Sequence, residues 1–458
     1  MELRRSIYQK LIQWKKENSG KVLEVSGARQ VGKTYILQKF AKEQYQQSVY
    51  INMAELSGTR FIQCLDQAED WTPGTPMKED TLHEAVRLLF PAFQDTEDTL
   101  ILIDEIQESS RVYNLIRTFS RQFSCHVIVT GSYLGRLLSK DFFLPAGDID
   151  TITMETLTFA EFVEAFGKKS LYDSVDLYGD SAAEDYEELR ECFQIYQQIG
   201  GYPSVVKLYL EHQDIRRCDT ELQRLMDIFT SESKRYFEDV METTAFERLF
   251  HGIAIQLIRE KQGASDLISD LSKIVYQQES GRFTKKMINH AISWLQASHI
   301  IGYAAKCIDC DYLSIKENAR FYFMDIGLAR HFIERAGADE AETKGIVAEN
   351  FVYLALWRRI PDEIAGNCPW FASYEKINGE LDFFARSRLD YKNYGIEVKS
   401  QAGEGRTAKA LLKDKKLDYL YYLKGGSHGG ISDEGRVRNV PLYLADKITF
   451  DLSSDIRI

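Results

Sequence analysis

The amino-acid sequence predicts a multi-domain α/β protein whose first domain is built on a parallel sheet. Short apolar segments alternate with helical patterns over residues 1–155, which is typical of a doubly wound sheet. Helical patterns dominate from residue 156, and strand patterns return after residue 319. With 458 residues, the chain is also too long for one ordinary hydrophobic core.

The composition is that of a folded protein with a net negative charge. Hydrophobic residues make up 44% of the chain, and the formal net charge is −12. A nucleic-acid-binding surface would therefore have to be a local patch. The N-terminus shows no apolar signal segment and no apolar run is long enough to span a bilayer, so we expect no membrane association. The seven scattered cysteines fit a reducing compartment and predict a cytoplasmic location.

The elements of the first domain follow from short apolar runs and turn signals. A helix is predicted within residues 1–20 and another over residues 33–43. Trp71, Pro73, Gly74 and Pro76 make the stretch 54–80 loop-rich by sequence. The predicted strands are 21–26, 48–52, 99–104 and 126–131.

Residues 27–34 match the phosphate-binding pattern G-x-x-x-x-G-K-[ST] between a predicted strand and a helix, which is the context that the pattern requires. Its glycines let backbone N–H groups surround phosphates, Lys33 is expected to reach the β/γ-phosphates, and Thr34 is expected to ligate Mg²⁺. A chance glycine-rich turn is the alternative. The predicted ATP-binding residues of this loop are Gly27, Ala28, Arg29, Gln30, Val31, Gly32, Lys33 and Thr34.

Asp104 and Glu105 end the apolar strand 99–104. Asp104 is predicted to contact nucleotide and to hold Mg²⁺ with Thr34, because ligands lie at the carboxyl ends of strands in open α/β sheets. Glu105 is predicted to orient or deprotonate the attacking water, so Glu105 and Lys33 are the expected catalytic pair of ATP hydrolysis. A solvated acidic turn is the alternative.

The strand at 126–131 delivers a further polar residue to the same edge. Ser132 is predicted to sense the γ-phosphate, with Thr130 as the alternative residue and a simple strand-end turn as the competing interpretation. A charge-stabilising arginine is also expected, and the sequence leaves its identity open. The candidates are Arg29, Arg117, Arg121 and Arg136.

Beyond the first domain, the segment 284–298 is amphipathic, with apolar residues at helical spacing. Strand patterns at 300–303 and 313–316 follow it, so the segment is interpreted as the third helix and wing of a winged helix. Packing between domains is the alternative. Cys307 and Cys310 form a lone CxxC, which is interpreted as two ordinary cysteines at a hairpin, since a zinc site would need a second pair.

Three acidic or basic residues near the C-terminus suggest a second site. Glu397 and Lys399 are two residues apart in a predicted strand and share a face, and Asp382 can join them from the preceding strand. Two carboxylates can ligate Mg²⁺, while the lysine can activate a hydroxide that attacks a phosphodiester. Glu349 is a predicted further metal ligand, whereas Glu380 is assigned to the opposite face from Asp382. Four lysines that follow are candidates for phosphate contacts or a solvated helix face: Lys409, Lys413, Lys415 and Lys416.

With these residues in view, the chain resembles a bacterial and archaeal family of AAA-type ATPases that carry a C-terminal domain of unknown function. The resemblance extends over nearly the whole chain in the same order. It rests on the motifs at 27–34, 100–107, 129–132, 157–162, 200–203, 320–329, 345–353, 379–384 and 395–400.

The resemblance implies four parts: a P-loop ATPase core (1–155), a helical lid (156–235), a winged-helix-like domain (236–318) and a domain similar to PD-(D/E)xK nucleases (319–458). One departure stands out. Many relatives have a Gly-Arg pair before the motif at 157–162, whereas this chain has Gly147 and Asp148.

Two functions are therefore expected. The first is an ATPase, with ATP and Mg²⁺ as cofactors, that controls a nuclease-like domain acting on DNA or RNA. The second is a nucleotide-dependent switch that binds a protein partner through an inactive nuclease-like domain. Oligomers are compatible with either function, and a small-molecule kinase is less favoured because no acceptor site is apparent.

Overall fold

The computed structural model describes residues 2–17, 19–69, 80–132, 141–143, 147–237, 250–258, 285–314, 319–399 and 405–454. The chain divides into two compact units. The first, called the N-terminal unit, comprises Arg4–Thr156 and Ile292–His299. The second, called the C-terminal unit, comprises Met1–Leu3, Leu157–Ala291 and Ile300–Ile458. Within the described ranges, no helix is long and apolar enough to cross a membrane.

The N-terminal unit contains a parallel sheet that has five strands in the described part of the chain, in the order β2-β3-β4-β1-β5. The parallel sheet of the predicted fold class is thereby confirmed. The strands are β1 Val22–Ser26, β2 Gln47–Asn52, β3 Thr99–Asp104, β4 His126–Thr130 and β5 Ile149–Thr153. The helices of this unit are α1 Ile7–Glu17, α2 Lys33–Gln44, α3 Leu56–Glu69, α4 Thr81–Leu89, α5 Ser110–Tyr113 and α6 Ile116–Gln122.

The central strands are buried along their whole length. All six residues of β3 and all five of β4 are buried, as expected for strands that are covered on both faces. Aliphatic side chains of β2, β3 and β4 pack with those of α3, α4 and α6 into one cluster. This core fixes the carboxyl ends of β1, β3 and β4 beside one another.

One local expectation in this unit is wrong, and one strand was not predicted. Residues 56–69 form α3 rather than a loop, because the proline and tryptophan signals all lie after residue 70. Gly58 is needed inside this helix, since a Cβ there would lie 2.5 Å from the Met53 backbone. The edge strand β5 was missed because its residues are only half-buried and lack an apolar run.

The C-terminal unit contains a mixed sheet, nine-stranded within the described residues, with the path β13-β14-β12-β11-β10-β9-β6-β7 and β8 paired to β6. The pairs β6–β9, β11–β12 and β12–β14 are parallel. The strands are β6 Ile301–Ile308, β7 Tyr312–Leu313, β8 Ala319–Phe323, β9 Trp370–Tyr374, β10 Gly379–Arg386, β11 Asn393–Lys399, β12 Tyr419–Lys424, β13 Gly430–Ser432 and β14 Val437–Pro441.

Helices of very different length accompany this sheet. In chain order they are α7 Phe159–Ala165, α8 Lys169–Ser174, α9 Ala183–Ile199, α10 Pro203–His212, α11 Ile215–Phe237, α13 Ile326–Arg335, α14 Glu340–Trp357 and α15 Arg406–Lys413. Helix α12, Lys285–Ala297, spans the predicted amphipathic segment.

Strands β6 and β7 form the hairpin predicted as a wing, with Cys307 opposite Leu313. Residues 315–316 of that prediction lie outside the described residues. Strand β6 also pairs with β8 and runs parallel to β9, so the hairpin is part of the same sheet as the later strands. Cys307 and Cys310 are buried in the core there, and burial raises the pKa of both thiols, as for ordinary structural cysteines.

The Gly-Gly-Tyr-Pro turn separates α9 from α10, as its turn signal predicts. Gly201 N–H donates to the Asp325 carboxylate (2.8 Å), and Leu157 N–H donates to the Gly201 carbonyl (2.7 Å). A Cβ on Gly200 would lie 2.3 Å from Asp325 Oδ1, and one on Gly327 would lie 2.6 Å from the Ile199 carbonyl oxygen. We call these five residues, Leu157, Gly200, Gly201, Asp325 and Gly327, the glycine junction.

An aromatic cluster reinforces the same region. The rings of Phe159, Phe193 and Phe351 lie within 6.3 Å of one another between centroids, and Tyr196 packs against Phe159 at 5.5 Å. These residues belong to α7, α9 and α14, so helices from the predicted lid and the predicted C-terminal domain share one core.

Replacing Asp325 by alanine should lower the free energy of unfolding of the C-terminal unit by about 2–4 kcal/mol, through the lost cap of α13 and the unpaired buried Gly201 N–H. Urea unfolding followed by circular dichroism measures this change. The exposed cap Asp339→Ala is the control, with an expected loss of about 1 kcal/mol. Equal losses in the two variants would show that the glycine junction adds nothing beyond a helix cap.

Candidate functional sites

The predicted phosphate loop connects the carboxyl end of β1 to α2. Gly27 and Gly32 adopt positive φ values of 141° and 98°, and a Cβ on Gly27 would lie 2.1 Å from the Met154 carbonyl oxygen. Gln30 has φ 62° within the same turn. Glycine is thus required at the first position both by backbone conformation and by the neighbouring chain. The N-terminus of the 12-residue helix α2 faces the turn, which suits an anion.

Lys33 is 5% exposed and donates to the carbonyl oxygens of Gly27 (2.7 Å) and Ala28 (2.8 Å). Burial lowers the pKa of its ammonium to about 8, against the opposing charges of Glu105 and Asp104. The lysine is therefore held across its own loop, and a triphosphate would give it a charged partner in place of two carbonyls.

Asp104 lies at the end of β3 and is buried. Its Oδ2 accepts hydrogen bonds from Thr34 Oγ1 (2.7 Å) and Tyr50 OH (3.1 Å), and its Oδ1 accepts from Glu105 N–H (2.8 Å). The direct contact between Thr34 and Asp104 brings together the two side chains expected to hold Mg²⁺. A hydroxyl and a carboxylate fit the oxygen ligands that Mg²⁺ prefers. Tyr50 is a neighbour that the sequence patterns did not reveal.

Glu105 adopts a left-handed conformation with φ 50°, which turns its side chain away from the strand direction. Its carboxylate accepts from Gln107 Nε2 (2.5 Å) and from Ser132 Oγ (3.3 Å). The other candidate sensor, Thr130, donates to the Val25 carbonyl (2.7 Å) inside the sheet. Of the two candidate sensors, Ser132 is therefore the one that lies beside the carboxylate of Glu105, the expected catalytic base.

Two of the candidate arginines lie near the amino ends of the strands, whereas the phosphate loop lies at their carboxyl ends. Arg117 and Arg121 bind the Asp148 carboxylate, at 3.1 Å and 3.2 Å, just before β5 begins. Burial acts to raise the pKa of Asp148, but hydrogen bonds from Arg121 and Arg117 outweigh it and lower the pKa. This edge lies about 16 Å from the phosphate loop, the length of β1, so neither arginine reaches a phosphate bound in the same chain.

The same geometry explains the departure at Asp148: an arginine there would also be distant from the phosphate loop of its own chain. Arg29 lies half-buried within that loop, and Arg136 lies outside the described residues.

His299 is a residue of the N-terminal unit that sequence reasoning did not select. It follows α12, adopts φ 55° and belongs to the N-terminal unit rather than to the unit that contains β6. Burial, together with the charge of Lys33, lowers the pKa of its imidazole to about 4. A neutral imidazole therefore lies within electrostatic reach of the phosphate loop. No local motif marks it, because the contact depends on a segment about 260 residues further along the chain.

In the C-terminal unit, β10 and β11 pair so that Phe383 lies opposite Ile396, which places Asp382 beside Glu397. Asp382 Oδ2 accepts from Val398 N–H (2.7 Å), and Glu397 Oε1 accepts from Lys399 Nζ (2.7 Å). The structure therefore brings Asp382, Glu397 and Lys399 together as the strand spacing indicates.

Glu397 is the more buried of the two carboxylates, with 5% exposure. Burial, and then the charge of Asp382, raises the pKa of Glu397 above its ordinary value. Among the described residues, Glu397 Oε2 has no hydrogen-bond partner. A buried carboxylate oxygen without a donor, next to a second carboxylate, fits a divalent cation, and Mg²⁺ is commonly held by one or two carboxylates.

Glu349 takes part in a different set of contacts. Its Oε1 accepts from Tyr322 OH (2.8 Å) and lies 3.8 Å from Arg320 Nη1. Within the described ranges, no group of three or more His, Cys, Asp or Glu side chains is arranged to hold a metal ion. Of the predicted metal ligands in this unit, Asp382 and Glu397 lie next to each other, whereas Glu349 contacts Arg320 and Tyr322.

The assignment of Glu380 to the opposite face from Asp382 is wrong. Both line one cavity of about 150 Å³, together with Arg320 and Glu349. Residues two positions apart in a strand share a face, so Glu380 and Asp382 should have been placed together. Glu380 binds Arg320 Nη2 at 2.5 Å.

The four lysines after β11 are separated in their roles. Lys409, Lys413 and Lys415 are exposed, whereas Lys416 donates to Asp311 (2.5 Å). The side chains of Lys285 and Lys286, at the start of α12, lie outside the described residues.

Comparison with known proteins gives matches to ATPases and to one protein without a described role. An uncharacterized protein of Haemophilus influenzae is 24% identical over 426 residues, which cover 88% of each chain. A Walker-type ATPase of Pyrococcus abyssi is 14% identical, with a TM-score of 0.44, and the match covers 72% of this chain and 96% of that one. The ORC1 protein of Aeropyrum pernix, solved in complex with DNA, is 11% identical, with a TM-score of 0.30 and coverage of 76% and 93%.

A family model described as an AAA domain matches residues 19–163. The match contains the phosphate loop, the Asp104–Glu105 pair and Ser132, which the parallel sheet gathers at one edge. Residues 19–163 are therefore similar to AAA domains over the part of the chain that carries these predicted nucleotide-binding residues.

Proposed function

We propose that the chain is a Mg²⁺-dependent ATPase whose nucleotide state is coupled to a nuclease-like C-terminal domain that acts on nucleic acid. The observation that carries the ATPase part is the contact between Thr34 Oγ1 and Asp104 Oδ2 beside the buried Lys33. It joins the magnesium ligands of two separate motifs at the place where the lysine meets phosphate.

In this proposal, Lys33 neutralises charge on the β- and γ-phosphates, and Thr34 and Asp104 would hold the Mg²⁺ that accompanies ATP. Glu105 orients the attacking water and accepts its proton. Ser132, 3.3 Å from Glu105, is placed to report whether the γ-phosphate is present. An arginine that completes the site would have to come from Arg29, Arg136 or another subunit.

The nuclease part rests on the Asp382–Glu397–Lys399 group. Its support is the unpartnered buried Oε2 of Glu397 and the lysine 2.7 Å from the same carboxylate. Mg²⁺ would bind the two carboxylates and a phosphodiester oxygen, and Lys399 would assist deprotonation of the attacking water. The helical lid, the winged-helix-like segment, the PD-(D/E)xK-like domain and a cytoplasmic location belong to the same proposal.

A second candidate is a nucleotide-dependent switch in which the C-terminal domain binds a partner without cleaving it. The engagement of Glu349 by Arg320 and Tyr322 favours this candidate, because it removes one expected metal ligand from the acidic site. Both candidates include ATP hydrolysis, and they differ in whether the C-terminal site catalyses cleavage.

ATP affinity should fall about tenfold as the pH rises from about 7.5 to about 9, because the protonated fraction of Lys33 decreases as the pH passes its pKa of about 8. A lysine of ordinary pKa would stay charged throughout this range. Titration with a fluorescent ATP analogue measures the affinity. Lys33→Ala should bind weakly at every pH, and Lys39→Ala should follow wild type. A flat wild-type profile would contradict the assigned role of Lys33.

Glu105→Gln should retain ATP binding and lose at least about a hundredfold in the rate of phosphate release, because an amide cannot accept the proton of water. Phosphate release and ATP binding are measured on the same preparation. The neighbouring Glu108→Gln is the matched control and should hydrolyse ATP like wild type. Turnover that survives in Glu105→Gln would exclude this residue as the base.

Asp382→Asn and Lys399→Ala should each lower nucleic-acid cleavage by at least about a hundredfold, since one removes a cation ligand and the other the lysine beside it. Single- and double-stranded DNA and RNA are tested with Mg²⁺ or Mn²⁺, with and without ATP. Asp433→Asn, in an exposed turn of the same unit, is the control. If wild type cleaves no substrate while it hydrolyses ATP, the switch becomes the better account.

A further inference from the structure

Arg320 is a buried cation within the acidic cavity of the C-terminal unit. It is 5% exposed, and its guanidinium lies 4.0 Å from the ring centre of Phe371. Its nitrogens lie 2.5 Å from Glu380 Oε2 and 3.8 Å from Glu349 Oε1. The same cavity, about 150 Å³ in volume, is lined by Asp382. One side chain therefore supplies positive charge to the wall where the acidic residues meet.

The position of Arg320 is fixed by the backbone around it. Arg320 and Tyr322 are two residues apart on β8, so both project to the side where Glu349 lies, and both contact its Oε1. Asn350, the next residue of α14, accepts from Phe323 N–H (2.9 Å) and donates to the Phe323 carbonyl (2.8 Å). These two hydrogen bonds hold α14 on β8 and keep Glu349 facing the guanidinium.

The charges of the site divide into two groups. Glu349 and Glu380 contact Arg320, while Lys306 lies 3.8 Å from Glu380. Asp382 and Glu397 form the other group, with Lys399 beside Glu397. A carboxylate bound to a guanidinium has less negative potential to offer a metal ion, and a nearby fixed positive charge opposes binding of a further cation.

We propose that Arg320 serves as a tethered cation in place of a metal ion, so that the C-terminal site holds at most one divalent cation, on Asp382 and Glu397. The inference rests on the proposed function, in which that site binds a divalent cation. A phosphodiester in this cavity would meet one metal ion and one guanidinium instead of two metal ions, and the guanidinium would contact a phosphate oxygen as Glu380, which is half-exposed, moves aside.

The test measures binding of Mn²⁺ to the nucleotide-free full chain by electron paramagnetic resonance, so it requires no cleavage activity. Arg320→Gln removes the charge and should raise the affinity for Mn²⁺ about tenfold or more, or add a second bound ion. Arg320→Lys keeps a positive charge and should show no such gain. Adding Glu349→Gln and Glu380→Gln to Arg320→Gln should abolish the gain, because the two freed carboxylates are its source. Thermal unfolding verifies that each variant is folded.

The outcomes separate this inference from the proposed nuclease. Binding of Mn²⁺ that depends on Asp382 in wild type, but is unchanged in Arg320→Gln, overturns the role of Arg320 and leaves the cation site intact. If Mn²⁺ binding depends on Asp382 in Arg320→Gln but not in wild type, the result supports Arg320 as the tethered cation. It also shows that the wild-type site holds no metal ion. Absence of Asp382-dependent binding in every folded variant overturns both.

Discussion

The carboxylate of Asp325 accepts hydrogen bonds from the backbone N–H groups of Gly201 and Leu328. One buried side chain therefore holds the turn that follows α9 and also caps the N-terminus of α13. The two partners Gly201 and Asp325 are 124 residues apart in sequence. A buried carboxylate is stable only when hydrogen-bond donors surround it, and two of the donors here are backbone N–H groups from distant parts of the chain. The close approach of Gly200 and Gly327 follows from this requirement. Helices α7, α9, α13 and α14 are positioned around it, and they in turn support strand β8, where the acidic site begins.

The two candidate sites solve the same electrostatic problem in different ways. In the N-terminal unit, Asp104 accepts hydrogen bonds from Thr34, Tyr50 and a backbone amide, and the remaining negative charge is matched by Lys33, whose pKa is lowered by burial. In the C-terminal unit, Arg320 matches two carboxylates, while one oxygen of Glu397 has no hydrogen-bond donor in the described part of the chain. The first arrangement suits a ligand that brings both anionic phosphate and its own cation. The second leaves room for one cation between carboxylates.

Local patterns predicted what local chemistry determines. The phosphate loop, the Asp104–Glu105 pair, the break at residues 200–203 and the pairing of Asp382 with Glu397 and Lys399 all depend on nearby residues or on strand alternation. The sequence did not reveal Tyr50, His299 or Arg320 as neighbours of the sites, because their contacts are made by chain segments that meet only in the folded sheet. Strand β12 was missed although its residues 419–423 are tyrosines and leucines, since these five residues follow a lysine-rich helix without a turn pattern. Glu380 was misplaced because two residues that are two positions apart in a strand were assigned to opposite faces, and not because of any feature of the fold.

Strand β6 has a consequence for how the C-terminal sheet can be assembled. It enters between β8 and β9, so that residues 301–308 cover the edge of 370–374 on one side and pair with 319–323 on the other. A polypeptide that began at residue 319 would present β9 with a row of unpaired amide and carbonyl groups and would leave β8 without its neighbour. Such an edge invites pairing between molecules and aggregation. The strands from β8 onward therefore depend on β6 to cover the edge of β9, and β6 is synthesised before any of them.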